Sequence, residues 1–162
     1  MSKVLYPGSF DPITKGHMNI IEQATDIFDE VVVAILNNPL KKTSFFTPEE
    51  RLEMIQELYA KANNVKVVLA TGATVDVATL HKCKAIVRGL RSISDFDYEA
   101  ALQQINKDIS KGTVRTIGLF ADAEYQFVSS TVVKEVFGLN KDIAKYVDPI
   151  IKERMLTKKG TI

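Results

Sequence analysis

The chain has 162 residues, a formal net charge of +1, and a composition that is 46% hydrophobic and 25% charged. These values are typical of an ordinary globular protein, and the near-neutral charge argues against nucleic acid or an anionic membrane as a partner. The single cysteine, Cys83, excludes an internal disulfide and a cysteine-based metal cluster. No apolar run approaches about 18 residues and no secretory leader is recognisable, so we expect a cytoplasmic protein.

Strand-like and helix-like patterns alternate along the whole chain. Residues 3–6 predict a short buried strand, and the apolar residues after His17 recur at helical spacing. The pattern Thr47-Pro48-Glu49-Glu50 predicts a helix start with a capping box. Further strands are predicted over 30–36, 65–69, 85–88 and 114–120, and further helices over 75–81, 94–110, 129–136 and 148–155.

This alternation defines the expected fold. Strands separated by helices require crossover connections, which are right-handed and place parallel strands between layers of helix. Continuous apolar runs such as residues 30–36 agree with a sheet buried on both faces. We therefore predict one α/β domain over residues 1–162. It is a Rossmann-like doubly wound sheet of five parallel strands, with helices on both faces and a helical C-terminus.

The turn from the first strand into the first helix carries the strongest functional signal. Residues 6–17 read YPGSFDPITKGH, and open α/β sheets bind ligands at such turns, beside helix N–H groups that favour anions. Gly8 allows backbone to approach a ligand, and Gly16 permits tight packing at the helix start. His17 falls in the first helical turn, where its imidazole can donate a hydrogen bond to a phosphate oxygen.

Two other segments also follow predicted strands and should meet this turn at one edge of the sheet. In the sequence RGLR, Arg88 and Arg91 favour an anionic partner, with ion pairs to surface acids as the alternative. The sequence YQFVSST, residues 125–131, ends in three hydroxyl side chains at a predicted helix start. One hydroxyl suffices for a cap, so the others are candidates for phosphate binding.

Two weaker candidates have ordinary alternatives. Lys41 and Lys42 lie on the loop after the second strand, where they are either solvated or positioned to swing over a bound polyphosphate. Glu99 is either a solvent-facing helical acid or an acceptor for ribose hydroxyls or an exocyclic amine. The chain lacks the P-loop pattern G-x-x-x-x-G-K-[ST], so we do not expect a P-loop enzyme. No G-x-G-x-x-G follows the first strand, which argues against an ordinary dinucleotide oxidoreductase.

The segments PGSFDP, TKGH, RGLR and SST together resemble the bacterial phosphopantetheine adenylyltransferase family, a branch of the nucleotidylyltransferase superfamily with an H-x-G-H signature. The resemblance covers essentially the whole chain, although Thr14 stands where that signature has its first histidine. It implies adenylyl transfer from ATP to 4′-phosphopantetheine, giving dephospho-coenzyme A and pyrophosphate. It also implies Mg²⁺ as cofactor and a homohexamer.

The resemblance further implies roles for individual residues. His17 would be catalytic, binding ATP and stabilising the transition state. The 4′-phosphopantetheine would be held by Ser9, Lys41, Thr74 and Arg88, with Lys42 as the alternative to Lys41. No side chain is assigned as a metal ligand. The other ATP-binding residues would be Ser9, Phe10, Gly89, Leu90, Arg91, Glu99, Tyr125, Gln126, Phe127, Val128, Ser129, Ser130 and Thr131.

Two alternative functions remain open from the sequence. Another nucleotidyltransferase of this fold would make NAD from nicotinamide mononucleotide or charge glycerol phosphate with CTP, and we would expect histidine at position 14 in either. A regulatory module that senses adenine nucleotides would bind ATP without releasing pyrophosphate. An assay of pyrophosphate release separates these possibilities.

Overall fold

The computed structural model describes residues 1–37 and 43–160, with Ser94 described by its backbone alone. Within that part, five parallel strands form one sheet, and helices connect them in the predicted alternation. The predicted fold class is thereby confirmed. The strands are β1 (Lys3–Gly8), β2 (Glu30–Leu36), β3 (Val65–Ala70), β4 (Ala85–Leu90) and β5 (Arg115–Phe120). The helices are α1 (Lys15–Ile27), α2 (Pro48–Leu58), α3 (Thr74–Leu80), α4 (Ile93–Ile109), α5 (Ser130–Gly138) and α6 (Pro149–Gly160).

The strand order places a crevice at the centre of the sheet. The order is β3-β2-β1-β4-β5, so the chain reverses its winding direction between β1 and β4. β1 pairs with β2 along its full length, but its pairing with β4 covers only Val4 and Leu5. Beyond Leu5 the carboxyl ends of these two central strands separate. Open α/β sheets bind their ligands at this kind of switch point.

Helices cover both faces of the sheet because alternate strand residues point to opposite sides. On one face, Val4 and Tyr6 of β1 belong to a buried cluster that includes residues of α1, α2, α5 and α6. On the other face, Leu5 and Ile86 pack with residues of α3. The sheet is therefore a rigid support for the loops that leave its carboxyl edge.

Helix boundaries show where sequence patterns were insufficient. The capping box of Thr47 and Glu50 is present at the start of α2, as predicted. α6 was predicted to end near residue 155, and that prediction is wrong because the helix continues to Gly160. Lys158 pairs with Glu50 of α2, and Lys159 lies over the ring of Phe137. These tertiary contacts stabilise a final turn that has no apolar periodicity of its own.

Candidate active site

A cleft opens where β1 and β4 separate, and we call it the β1–β4 cleft. His17 and Arg88 both line it, so the expected convergence of the first turn with the end of β4 is confirmed. The roles of these residues stay predictions. The residues proposed from the sequence that line this cleft are Ser9, Phe10, His17, Arg88, Gly89, Arg91, Glu99 and Val128.

A second cavity shares Gly8, Ser9 and Arg88 with the β1–β4 cleft. We call it the basic cavity because Arg51, Arg88 and Lys134 line it. Ser130 and Thr131, from the start of α5, also line it, as do residues 43 and 44. Two adjoining cavities that share Arg88 can hold two anions side by side.

The imidazole of His17 is fixed by the start of α1. The backbone N–H of Thr14 donates a hydrogen bond to His17 Nδ1 at 3.0 Å, and the backbone N–H of His17 donates to Thr14 Oγ1 at 3.4 Å. Thr14 and His17 thus form a reciprocal cap. Because Nδ1 accepts a hydrogen bond, the ring proton of the neutral imidazole lies on Nε2, where it is available to the cleft.

The environment keeps this imidazole uncharged. Burial and the nearby positive charge of Arg91 lower the pKa of His17 to about 4. At pH 7 the residue therefore offers a neutral N–H donor, and the positive charge in the cleft comes from the arginines. This refines the sequence-based expectation of a phosphate donor at position 17.

The lowered pKa of His17 predicts a pH-dependent stability. Between about pH 6.5 and pH 4 the unfolded chain binds a proton on this residue and the folded chain does not, so the free energy of unfolding should fall as pH falls. We expect His17→Asn to lose part of the decline that wild type shows between pH 7 and pH 5. Urea denaturation of both proteins at the two pH values measures the difference, and parallel declines would contradict it.

Arg88 is held by an acidic partner on α4. Arg88 Nε and Nη2 each donate to a carboxylate oxygen of Glu99 at 2.7 Å, and Nη1 donates to the carbonyl oxygen of Pro7 at 3.3 Å. The Glu99 side chain is 14% exposed, so the interpretation of Glu99 as a solvent-facing acid is wrong. The pair is a bidentate ion pair that fixes the direction of the guanidinium.

Arg91 also has a carboxylate partner. Its Nε lies 3.4 Å from Asp95 Oδ2, and its Nη1 donates to the carbonyl oxygen of Val128 at 3.1 Å. Both arginines of the RGLR segment are therefore paired with acids, which was the alternative considered for them. Their pairing alone does not require an anionic ligand, but both still line the β1–β4 cleft.

The glycines of the first turn serve packing. A Cβ atom at Gly8 would lie 2.9 Å from the ring of Phe10, so Gly8 makes room for that ring rather than for a ligand alone. Phe10 adopts a left-handed φ of 48° and its ring packs edge-on against His17 at 5.1 Å. A Cβ at Gly16 would lie 3.0 Å from the carbonyl oxygen of Val128. The tight packing expected at Gly16 is confirmed.

The three hydroxyls at the start of α5 have different partners. Ser129 caps the helix by accepting from the N–H of Val132 at 3.2 Å, and Ser130 Oγ donates to the carbonyl oxygen of Pro12 at 2.7 Å. Two of the three hydroxyls therefore form hydrogen bonds with backbone groups of the protein. Thr131 is the remaining one, and it lines the basic cavity.

Several predicted residues are not among those that line either cavity. Leu90 belongs to β4, and its side chain packs so closely on Gly118 that a Cβ there would lie 2.6 Å from it. Thr74 is the first residue of α3, after the carboxyl end of β3. Lys41 and Lys42 lie outside the described residues. The others are Tyr125, Gln126, Phe127 and Ser129, and Phe127 is 85% exposed.

Two buried polar residues near the site were not found from the sequence. Asp11 accepts from the backbone N–H groups of Phe45 and Phe46 at 2.8 Å each, which fastens the segment before α2 to the first turn. Asn19 donates to a carboxylate oxygen of Asp122 at 2.7 Å, which fastens the segment after β5 to α1. Asp11 stands inside the PGSFDP motif, and that position was its only signal. Asn19 gave none.

The family model described as cytidylyltransferase-like matches residues 5–136. A phosphopantetheine adenylyltransferase of Heliobacterium modesticaldum is 44% identical over 160 residues, which cover 99% of this chain and 94% of the relative. One of Finegoldia magna is 45% identical over 152 residues, covering 94% and 93%, respectively. One of Thermobifida fusca is 42% identical over 158 residues, covering 98% and 94%.

A solved structure supports the same fold. The lipopolysaccharide core biosynthesis protein of Thermoplasma volcanium superposes with a TM-score of 0.57 at 22% identity, covering 75% of this chain and 98% of that one. The family model covers most of the chain, and the sheet order with a cleft at its switch point agrees with it, so the chain belongs to the cytidylyltransferase-like family. The identity of 42–45% with the three relatives over nearly the whole length defines the family more narrowly than the family model does. Within that class, the chain belongs to the phosphopantetheine adenylyltransferases.

Proposed function

We propose that this protein transfers the adenylyl group of ATP to 4′-phosphopantetheine, giving dephospho-coenzyme A and pyrophosphate in coenzyme A biosynthesis. The observation that carries the proposal is 44% identity to a phosphopantetheine adenylyltransferase over 99% of the chain. The adjoining cavities that share Ser9 and Arg88 support it, because the reaction needs two anionic substrates side by side.

The reaction we propose needs no covalent enzyme intermediate. A phosphate oxygen of 4′-phosphopantetheine forms a bond to the α-phosphorus of ATP, and the bond from that phosphorus to the bridging oxygen breaks. Pyrophosphate leaves on the opposite side with the electron pair. The protein then has to align the two substrates and offset the charge on their phosphate oxygens.

We assign these tasks to the residues around the two cavities. His17 donates Nε2–H to a phosphate oxygen that gains charge in the transition state. Arg91 and the backbone at Gly89 contact ATP from the β1–β4 cleft, and Ser9 and Arg88 contact both substrates from the shared wall. The ATP contacts of residues 125–131, and the contacts of 4′-phosphopantetheine with Lys41 and Thr74, remain proposals that rest on the family resemblance.

Mg²⁺ is part of the proposal as a companion of the nucleotide. Among the described residues, no group of three or more His, Cys, Asp or Glu side chains could hold a metal ion. The chain therefore offers no side-chain cage in that part, and we assign no residue as a ligand. The ion would supply charge neutralisation on the leaving phosphates, which are themselves good oxygen ligands.

We further propose that copies of the chain associate, with the homohexamer as the expected state. α4 exposes several large apolar side chains, and Phe120 at the end of β5 is 76% exposed. Apolar surface of this extent favours a protein interface. The exposed apolar residues of α4 are Ile93, Phe96, Tyr98, Ile105 and Ile109.

No described helix combines the length and apolar character of a membrane span, and the cytoplasmic location stays a prediction.

The deciding experiment is a pyrophosphate-release assay with a substrate panel. We expect release when ATP is combined with 4′-phosphopantetheine, and none when ATP is combined with nicotinamide mononucleotide or CTP with glycerol phosphate. Release only with one of the latter pairs would identify a different nucleotidyltransferase. ATP binding by calorimetry without release from any pair would favour a nucleotide-sensing module.

The Arg88–Glu99 pair leads to a prediction on substrate binding. Glu99→Gln removes the charge that orients Arg88, so we expect the KM for 4′-phosphopantetheine to rise about tenfold. Initial rates at saturating ATP measure the change, and Glu153→Gln on α6 is the matched control, because Glu153 is exposed and lines neither cavity. An unchanged KM would show that Arg88 keeps its orientation without a charged partner.

A further inference from the structure

Arg51 is a buried arginine whose side chain no sequence pattern singled out. It lies in the second turn of α2 and is 4% exposed. Its Nη1 donates to the carbonyl oxygen of Ser9 at 2.6 Å, and its Nε donates to the carbonyl oxygen of Thr47 at 3.3 Å. The guanidinium therefore connects the start of α2 to the first turn, at the residue that both proposed substrates contact.

The position of Arg51 is electrostatically costly. A buried charge normally has a partner of opposite sign, yet among the described residues no carboxylate forms an ion pair with Arg51. The charge also lies near the N-terminus of α2, where the helix dipole disfavours a cation. Arg88 and Arg91, in contrast, each have an acid within reach.

One edge of the guanidinium is open to the basic cavity. Nη2 of Arg51 forms no hydrogen bond within the described residues, and in that same part no buried side-chain nitrogen or oxygen lacks a partner. Nη2 is therefore not fully buried, and the cavity that Arg51 lines is the basic cavity. Among the described residues that line this cavity, the one carboxylate is that of Asp11, and it is occupied by two backbone N–H groups and by Lys134.

We propose that Arg51 is a further substrate-binding residue, which holds the Ser9 carbonyl with one N–H and presents its open edge to a phosphoryl group in the basic cavity. The inference rests on the proposed function for the identity of the anion. A phosphoryl group would supply the negative charge that Arg51 lacks. The phosphate of 4′-phosphopantetheine and the terminal phosphates of ATP share this chemistry.

The test compares Arg51→Met, which keeps the length of the side chain, with Arg51→Lys, which keeps the charge but loses the planar fork. Calorimetric titrations with 4′-phosphopantetheine, ATP and inorganic pyrophosphate are run separately on each variant. We expect Arg51→Met to weaken binding of at least one anion about 10- to 100-fold, and Arg51→Lys to weaken it less. Arg154→Met is the matched control, because Arg154 pairs with Glu57 on the surface of α6.

The result also identifies the anion. A loss confined to 4′-phosphopantetheine places its phosphate in the basic cavity, and a loss confined to ATP and pyrophosphate places the polyphosphate there. Equal affinities of wild type and Arg51→Met for all three anions would overturn the proposal, because Arg51 would then only support the fold.

Arg51→Lys decides the matter if Arg51→Met does not fold. Weaker anion binding at the wild-type melting temperature supports the role of the fork, and unchanged binding refutes it. A wild-type protein that binds pyrophosphate but releases none from the substrate panel would refute the proposed function. The anion affinities of wild type and the Arg51 variants could still be compared in that case.

Discussion

His17→Ala is expected to lower kcat about 100- to 1000-fold while the sheet remains folded. The Nε2–H of His17 is the neutral donor that the start of α1 holds toward the β1–β4 cleft, and removal of one transition-state donor commonly has an effect of this size. The loss should appear in kcat and kcat/KM alike, because the donor is proposed to act on charge that develops in the transition state. Steady-state kinetics with both substrates saturating measure it.

Two controls separate this effect from loss of the helix cap. His17→Asn retains a side-chain acceptor near the position of Nδ1, so it should keep α1 capped and still lose most of the turnover. His81→Ala changes the other histidine, which ends α3 and lines neither cavity, and it should leave kcat unchanged. Near-normal turnover in His17→Asn would remove the imidazole from the mechanism.

Arg88→Ala should weaken binding of 4′-phosphopantetheine about 100-fold with a smaller effect on ATP. Arg88 lines the wall shared by both cavities, and a guanidinium binds a phosphate through charge-assisted, bidentate hydrogen bonds. Titration calorimetry with each substrate measures the two affinities. Arg115→Ala is the matched control, because Arg115 begins β5 at the opposite edge of the sheet.

The ion pair of Arg88 with Glu99 calls for a second variant in this experiment. Arg88→Ala leaves the largely buried carboxylate of Glu99 without a cation, which destabilises the fold. The double variant Arg88→Met with Glu99→Gln removes both charges, so it should recover the melting temperature without recovering the affinity. If the double variant binds 4′-phosphopantetheine as wild type does, Arg88 does not contact that substrate.

The fold could be predicted from the sequence because local and global signals agree. The continuous apolar run between Glu30 and Leu36 is typical of a buried parallel strand, and its predicted limits match those of β2. Boundaries failed where tertiary contacts decide them. α6 extends to Gly160 because Lys158 and Lys159 find partners on other elements, and no periodicity in the last turn could indicate those partners.

The site was predictable only where its residues lie in contiguous motifs. The first turn and the RGLR segment follow strands, so topology alone brings His17 and Arg88 together. The partners of these residues come from elsewhere in the chain. Glu99 was considered as a nucleotide ligand or a surface acid, and its pairing with Arg88 depends on how α4 packs beside β4. Arg51 resembles any helical arginine until its burial is known.

The reciprocal cap at the start of α1 has a consequence for how this protein responds to heat. The Thr14 amide holds the inner nitrogen of the imidazole as an acceptor, so the aim of Nε2–H toward the cleft depends on that single helical turn. Helix ends fray at lower free-energy cost than a central sheet opens. If His17 has the role proposed here, we expect turnover to be lost on heating before the sheet melts cooperatively.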